Sequence, residues 1–141
     1  MNISENGKSL IKSFESLRLT AYHCPAGILT IGYGHTGGVR FGQMITEKQA
    51  DCYLMQDLYQ TEKQINKLVR VQLTQNQYDA LCSLVFNIGK RAFNQSTLLA
   101  KLNTGDYVGA SSEFKRWNKI KGVISTGLVR RRQLEEDLFN C

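Results

Sequence analysis

The sequence predicts an α+β chain, mainly helical, in which a small N-terminal β-hairpin lobe and a C-terminal helical lobe flank a groove. Three observations predict it. Apolar residues recur at helical spacing through most of the chain, residues 18–33 instead alternate about a turn, and two capping boxes mark helix starts well inside the sequence. With 141 residues and 42% hydrophobic side chains, the chain has the size of one domain with a real core. We expect a single domain over 1–141, with lobes of about 1–45 and 74–141 joined by a long helix over 47–68.

Ser4 reads as an N-cap, and Leu10, Ile11, Phe14 and Leu17 fall at helical spacing, which predicts a helix over 4–17 with Glu15 in its last turn. The helix dipole is negative at that end. It disfavours an ionised carboxylate and favours the protonated form that a general acid needs. Residues 18–22 alternate, Cys24-Pro25-Ala26-Gly27 carries turn chemistry, and 28–33 is strand-like, so a two-stranded hairpin follows. Folding back brings Thr30 toward Cys24 close to the helix end, and a carboxylate, a thiol and a hydroxyl converge at Glu15, Cys24 and Thr30. After the flexible Gly37-Gly38 link, residues 39–41 are expected to add a short third strand.

Thr46-Glu47-Lys48-Gln49 matches a capping box, and Ala50, Leu54, Leu58, Ile65 and Leu68 hold a stripe that predicts the long helix over 47–68, interrupted near Thr61 where the stripe drifts. Thr74-Gln75-Asn76-Gln77 is a second box. Behind it Tyr78, Leu81, Cys82, Val85 and Phe86 keep helical order up to a stop at Gly89. Ser96 caps a short helix through Leu102, Gly105 stops it, and Asp106 opens another to about Trp117. A final helix over 127–139 is expected to bury Leu128, Leu134 and Leu138. Strands are expected in the first third only.

The formal net charge of +6 and a pI of 9.3 imply an anionic partner. No helix-turn-helix, zinc-finger or aromatic-and-Arg sheet motif accompanies that charge, so nucleic acid is not the expected partner, whereas bacterial walls are equally polyanionic. Arg130-Arg131-Arg132 and Lys115, Arg116, Lys119 and Lys121 read as solvated faces, and the lone Trp117 as packing. No signal-like apolar region opens the chain and no run approaches membrane-spanning length, so a cytosolic protein without stable membrane insertion is expected. Cys24, Cys52, Cys82 and Cys141 lack metal-ligand spacing, and cytosolic thiols stay unpaired. His23, Cys24 and His35 offer no fourth ligand for zinc, and neither metal nor cofactor is expected. Gly32-Tyr33-Gly34-His35-Thr36-Gly37 spells a dinucleotide fingerprint, but residues 38–42 are poor helix material. Those glycines suit a tight hairpin edge, with His35 fixing the corner.

The run F-E-S-L-R-L-T-A-Y from Phe14, followed by C-P-A-G-I-L-T-I-G-Y-G-H-T from Cys24, resembles the phage-type lysozymes, glycoside hydrolase family 24. That family's motif is a Glu, an Asp nine residues on, and a Thr six beyond it. Glu15, Cys24 and Thr30 keep the spacing, with Cys in the Asp position. The resemblance continues over 75–89, 93–103 and 127–139 and so covers nearly the whole chain. It implies a lysozyme-like fold and a monomeric endolysin, phage or prophage encoded, that cleaves the β-1,4 bond between N-acetylmuramic acid and N-acetylglucosamine in peptidoglycan. Glu15 would be the general acid, Cys24 the base or nucleophile, and Thr30 the holder of a water. Phe86 and Ser96 match positions that line the saccharide cleft, and His35 and the Arg-Arg block residue Arg131 are further substrate-side candidates. The resemblance also implies release from the host cytoplasm through a separate hole-forming membrane protein, a holin. The alternative is a catalytically inactive peptidoglycan-binding relative, because a thiol with a pKa near ~8.5 is mostly neutral where the family Asp is ionised.

Overall fold

The computed structural model describes residues 1–141. Its elements are mostly helical, with two separate two-stranded antiparallel sheets. Packing divides the chain into two compact units, one of Ser9–Gln60 and one that combines Met1–Lys8 with Thr61–Cys141.

Helix α1 (Glu5–Glu15) begins where Ser4 accepts from the Gly7 amide at 3.2 Å. It ends two residues before the periodicity predicts, because Ser16 takes a left-handed φ of 50° and turns the chain straight into β1 (Arg18–His23). That strand pairs with β2 (Leu29–Gly32), Tyr22 standing opposite Thr30 and His23 opposite Leu29. Residues 39–41 form no strand. The Gln43 amide closes on the Arg40 carbonyl at 3.1 Å with Gly42 at φ 77°, so those residues are spent in turning. Pairing starts later: Met44 stands opposite Thr20, and the Ala21 amide donates to the Gln43 carbonyl at 2.9 Å. Ile11, Ile31, Ala50, Leu54 and Leu58 fill the core of this unit.

Helix α2 (Glu47–Leu68) opens on the expected capping box, with Thr46 accepting from the Gln49 amide at 3.2 Å and the Gln49 side chain accepting from the Thr46 amide at 2.8 Å. It runs over the expected residues and continues through Thr61, where the apolar stripe drifts. Thr61 is buried and sits between Leu58 and Ile65 at i+3 and i−4, so a polar residue continues the inward stripe.

In the second unit, α3 (Gln75–Ile88) starts on the full Thr74–Gln77 box and stops at Gly89, whose φ is 88°. A short helix, α4 (Lys90–Asn94), follows at once and was not expected. Ser96 caps α5 (Thr97–Asn103) and Asp106 caps α6 (Tyr107–Glu113), which tightens into a 3-10 turn over Phe114–Arg116. Tyr78, Leu81, Leu84, Phe93, Leu98, Leu102 and Phe114 form the core. Fully buried Asp79 accepts from the Ser4 amide at 3.0 Å, from the Ser4 hydroxyl and from Gln75 Nε2 at 2.9 Å, tying the first residues to α3. Gly7 leaves the room this needs, since a Cβ there would lie 2.7 Å from the Asp79 carboxyl.

Two expectations fail in this unit. Strands are not confined to the first third: β3 (Lys119–Ile120) and β4 (Val123–Ile124) make a second hairpin, closed by Lys121 at φ 50° and Gly122 at φ 80°. Both turn residues are left-handed, as a two-residue type I′ turn requires. The last helix, α7 (Thr126–Phe139), does not bury the three leucines. Leu134 is 38% exposed and Leu128 and Leu138 are half-buried, while Arg131, Arg132, Glu135 and Phe139 face inward. The charges survive there because they meet one another. Glu135 accepts from Arg131 Nε at 3.1 Å, Arg132 Nη2 at 3.2 Å and the Ser83 hydroxyl at 2.5 Å, and Arg131 Nη2 donates to the Ser83 carbonyl at 2.9 Å.

Candidate active site

The unit Ser9–Gln60 holds Glu15, Cys24, Thr30 and His35. Phe86, Ser96 and Arg131 belong to the other unit. Glu15 is the last residue of α1 and is half-buried. Its carboxylate lies against the backbone of Gly34, so closely that a Cβ on that residue would stand 2.9 Å from Oε2. Gly34 also has a φ of 79°, so both its conformation and its neighbour call for glycine.

Cys24 sits at the mouth of the hairpin turn as a free, half-buried thiol. Its amide donates to the Ile28 carbonyl at 3.0 Å, and its carbonyl accepts from the Gly27 amide at 2.7 Å. This wraps the 24–28 loop around the sulfur. The Ile28 amide is the largest influence on the thiol and stabilises the thiolate, with the Ala26 amide, the Thr30 hydroxyl and the Gly27 amide adding to it and partial desolvation opposing. The net result is a thiol pKa below its ordinary value of 9.0. A ring of amides around an anion is the chemistry of a backbone nest.

Thr30, 3% exposed, is opposite Tyr22 across the hairpin, and its hydroxyl donates to the Ile28 carbonyl at 2.9 Å. The same hydroxyl reaches the Cys24 sulfur. Cys24 and Thr30, six residues apart, thus meet across one turn, where the Thr30 hydroxyl favours the thiolate.

His35 holds the corner that supports Gly34. Nδ1 lies 2.8 Å from Asp57 Oδ2, Nε2 lies 2.9 Å from the Gly37 carbonyl, and the ring stacks on Tyr53 with centroids 4.3 Å apart. An isolated bridge between Ile31 and His35 tightens the same turn. Sequence reasoning missed Gly34, Tyr53 and Asp57. The spacing of Tyr53 and Asp57, four apart on α2 and so on one face, was the signal available for the last two.

In the other unit, Phe86 ends the buried stripe of α3 half-exposed, unlike the fully buried Phe93 and Phe114. The Ser96 hydroxyl accepts from the Leu99 amide at 3.1 Å and donates to the Phe93 carbonyl at 2.6 Å. Ser96 also borders a cavity of about 420 Å³ with Gln95, Glu113, Arg116 and Trp117. Arg131 is fixed by Glu135 and Ser83 as described. No group of three His, Cys, Asp or Glu side chains is placed to hold a metal ion, and no helix is long and apolar enough to cross a membrane.

Comparison with known proteins gives a consistent result. The phage lysozyme family model matches residues 12–135. The chain is 54% identical over 143 residues to an endolysin of Acyrthosiphon pisum secondary endosymbiont phage 1, covering 99% of this chain and 98% of that one. Among solved structures, the muramidase domain of SpmX from Asticaccaulis excentricus is 42% identical with a TM-score of 0.93, covering 99% of this chain and 98% of that chain. A P22 lysozyme mutant is 45% identical with a TM-score of 0.88, covering 100% of this chain and 99% of that chain. The chain belongs to the phage lysozyme family of glycoside hydrolases.

Proposed function

We propose that the chain is an endolysin muramidase that hydrolyses the β-1,4 bond between N-acetylmuramic acid and N-acetylglucosamine in bacterial peptidoglycan, with Glu15 as general acid. The observation that supports the reading is the position of Cys24 at the mouth of the hairpin turn, its loop closed by the Ile28 and Gly27 backbone bonds, with the thiol pKa below its ordinary value. Glu15 protonates the departing glycosidic oxygen. The Cys24 thiolate deprotonates a water held by Thr30, or attacks the sugar directly, and positive charge developing on the ring is met by that thiolate. A base gives inversion and a nucleophile gives retention, so the anomer of the first product distinguishes them.

Phe86, with its ring half-exposed, and Ser96, at the edge of its cavity, supply substrate contacts in this reading. Arg131 acts from its buried network, and His35 contributes by holding Gly34 beneath Glu15. The enzyme works as a monomer on the wall and leaves the host cytoplasm through a separate holin.

The test is release of reducing sugar from purified peptidoglycan by the wild type and by Glu15→Gln, Cys24→Asp and Cys24→Ser, each checked for folding by circular dichroism. Release by the wild type and Cys24→Asp, lost in Glu15→Gln and reduced in Cys24→Ser, is the expected result. No release from a folded wild type would leave a wall-binding protein disabled at Cys24.

A further inference from the structure

We propose that the β3–β4 hairpin is a docking surface for an anionic lipid bilayer. Residues 115–132 carry seven of the chain's 18 basic residues and no acidic one. Arg131 and Arg132 are buried against Glu135, and Arg116 is ion-paired with Glu113. Lys115, Lys119, Lys121 and Arg130 are exposed around the hairpin. The nearest acidic side chain in sequence, Glu113, is itself buried and shared between Lys101 and Arg116, so it leaves the positive field of the exposed lysines intact.

Between those cations the hairpin exposes apolar surface. Ile120 is 44%, Val123 69% and Ile124 62% exposed. Ile120 and Val123 stand directly opposite each other and so share one face, while Lys119 and Ile124 share the other. The two-residue left-handed turn fixes this arrangement at the tip. A wall polymer or a nucleic acid would recognise the lysines but gain nothing from three β-branched apolar side chains. A bilayer interface uses both, taking the apolar residues at the boundary between headgroups and acyl chains and the ammonium groups at its phosphates. The hairpin is too short to reach beyond that boundary, so the association is peripheral and reversible. It is independent of the proposed hydrolytic activity.

The test is co-sedimentation of the full chain with vesicles of phosphatidylglycerol and phosphatidylcholine against vesicles of phosphatidylcholine alone. Two double variants accompany it, Val123→Ser with Ile124→Ser and Lys119→Glu with Lys121→Glu, together with the single Val123→Ser should either double variant misfold. The chain is expected to sediment with the anionic vesicles only, and each folded double variant to bind roughly tenfold more weakly. Absence of binding to anionic vesicles would overturn the proposal. So would binding that the lysine variant weakens and the serine variants leave unchanged, particularly with equal retention on duplex DNA, because that pattern belongs to a polyanion site.

Discussion

Cys24 is the residue on which the proposed mechanism turns. Its pKa lies below 9.0 chiefly because the Ile28 amide faces the sulfur, so the thiolate fraction rises with pH through a midpoint under that value. If the thiolate does the work, lysis by the wild type should climb through that midpoint. Cys24→Asp, ionised throughout the neutral range, should lack the climb, and rates measured from about pH 5 to 10 on both proteins check this. Cys82 does not share this behaviour, since burial pushes its thiol up. Gly34 is the second residue with a sharp consequence. An added methyl would meet the Glu15 carboxylate at 2.9 Å and would also sit at a φ of 79°. Gly34→Ala is therefore expected to displace the acid and lower kcat by roughly a hundredfold while the far-ultraviolet dichroism stays helical.

At the level of elements, α7 shows what hydropathy patterns do and do not reveal. Its inward face is Arg131, Arg132, Glu135 and Phe139, with Ser83 of α3 completing the polar contacts. A stripe search places every arginine and glutamate outside, and it chose Leu134, which is 38% exposed. Charge pairing at i, i+3 and i, i+4 is invisible to that count until a partner on another helix is known. Glu135→Ala should leave two buried guanidiniums without their carboxylate and cost about 3–5 kcal/mol in a urea unfolding experiment. By contrast the boxes at Thr46 and Thr74, the caps at Ser96 and Asp106 and the first hairpin were legible, because each is a local hydrogen-bonding arrangement written within four or five consecutive residues. The second hairpin hid behind a Lys121-Gly122 turn in which lysine takes the left-handed conformation that asparagine or aspartate usually signals. Within the candidate site, Glu15, Cys24 and Thr30 could be named from a spacing written in one short stretch, whereas the contacts of Gly34 with Glu15 and of His35 with Tyr53 and Asp57 join residues distant in sequence.

For the whole molecule, the net charge of +6 favours encounter with a polyanionic surface. If peptidoglycan is the substrate, clearing of whole walls should slow several-fold as salt rises from about 0.05 to 0.3 M, while turnover of a short soluble glycan of alternating N-acetylglucosamine and N-acetylmuramic acid should change less, which turbidity and product assays can compare. The division of the chain has a different consequence, for its synthesis. Residues 9–60 form one compact unit, contiguous in sequence and therefore made before the rest of the chain. The other unit joins Met1–Lys8 to Thr61–Cys141, and Asp79 holds Ser4 across 75 positions of sequence. Met1–Lys8 must therefore wait for α3 before they find the partners that hold them. Newborn chains pass through an interval with the amino-terminal segment still undocked, and synthesis of the chain through α3, at about 5–20 residues per second, sets its length.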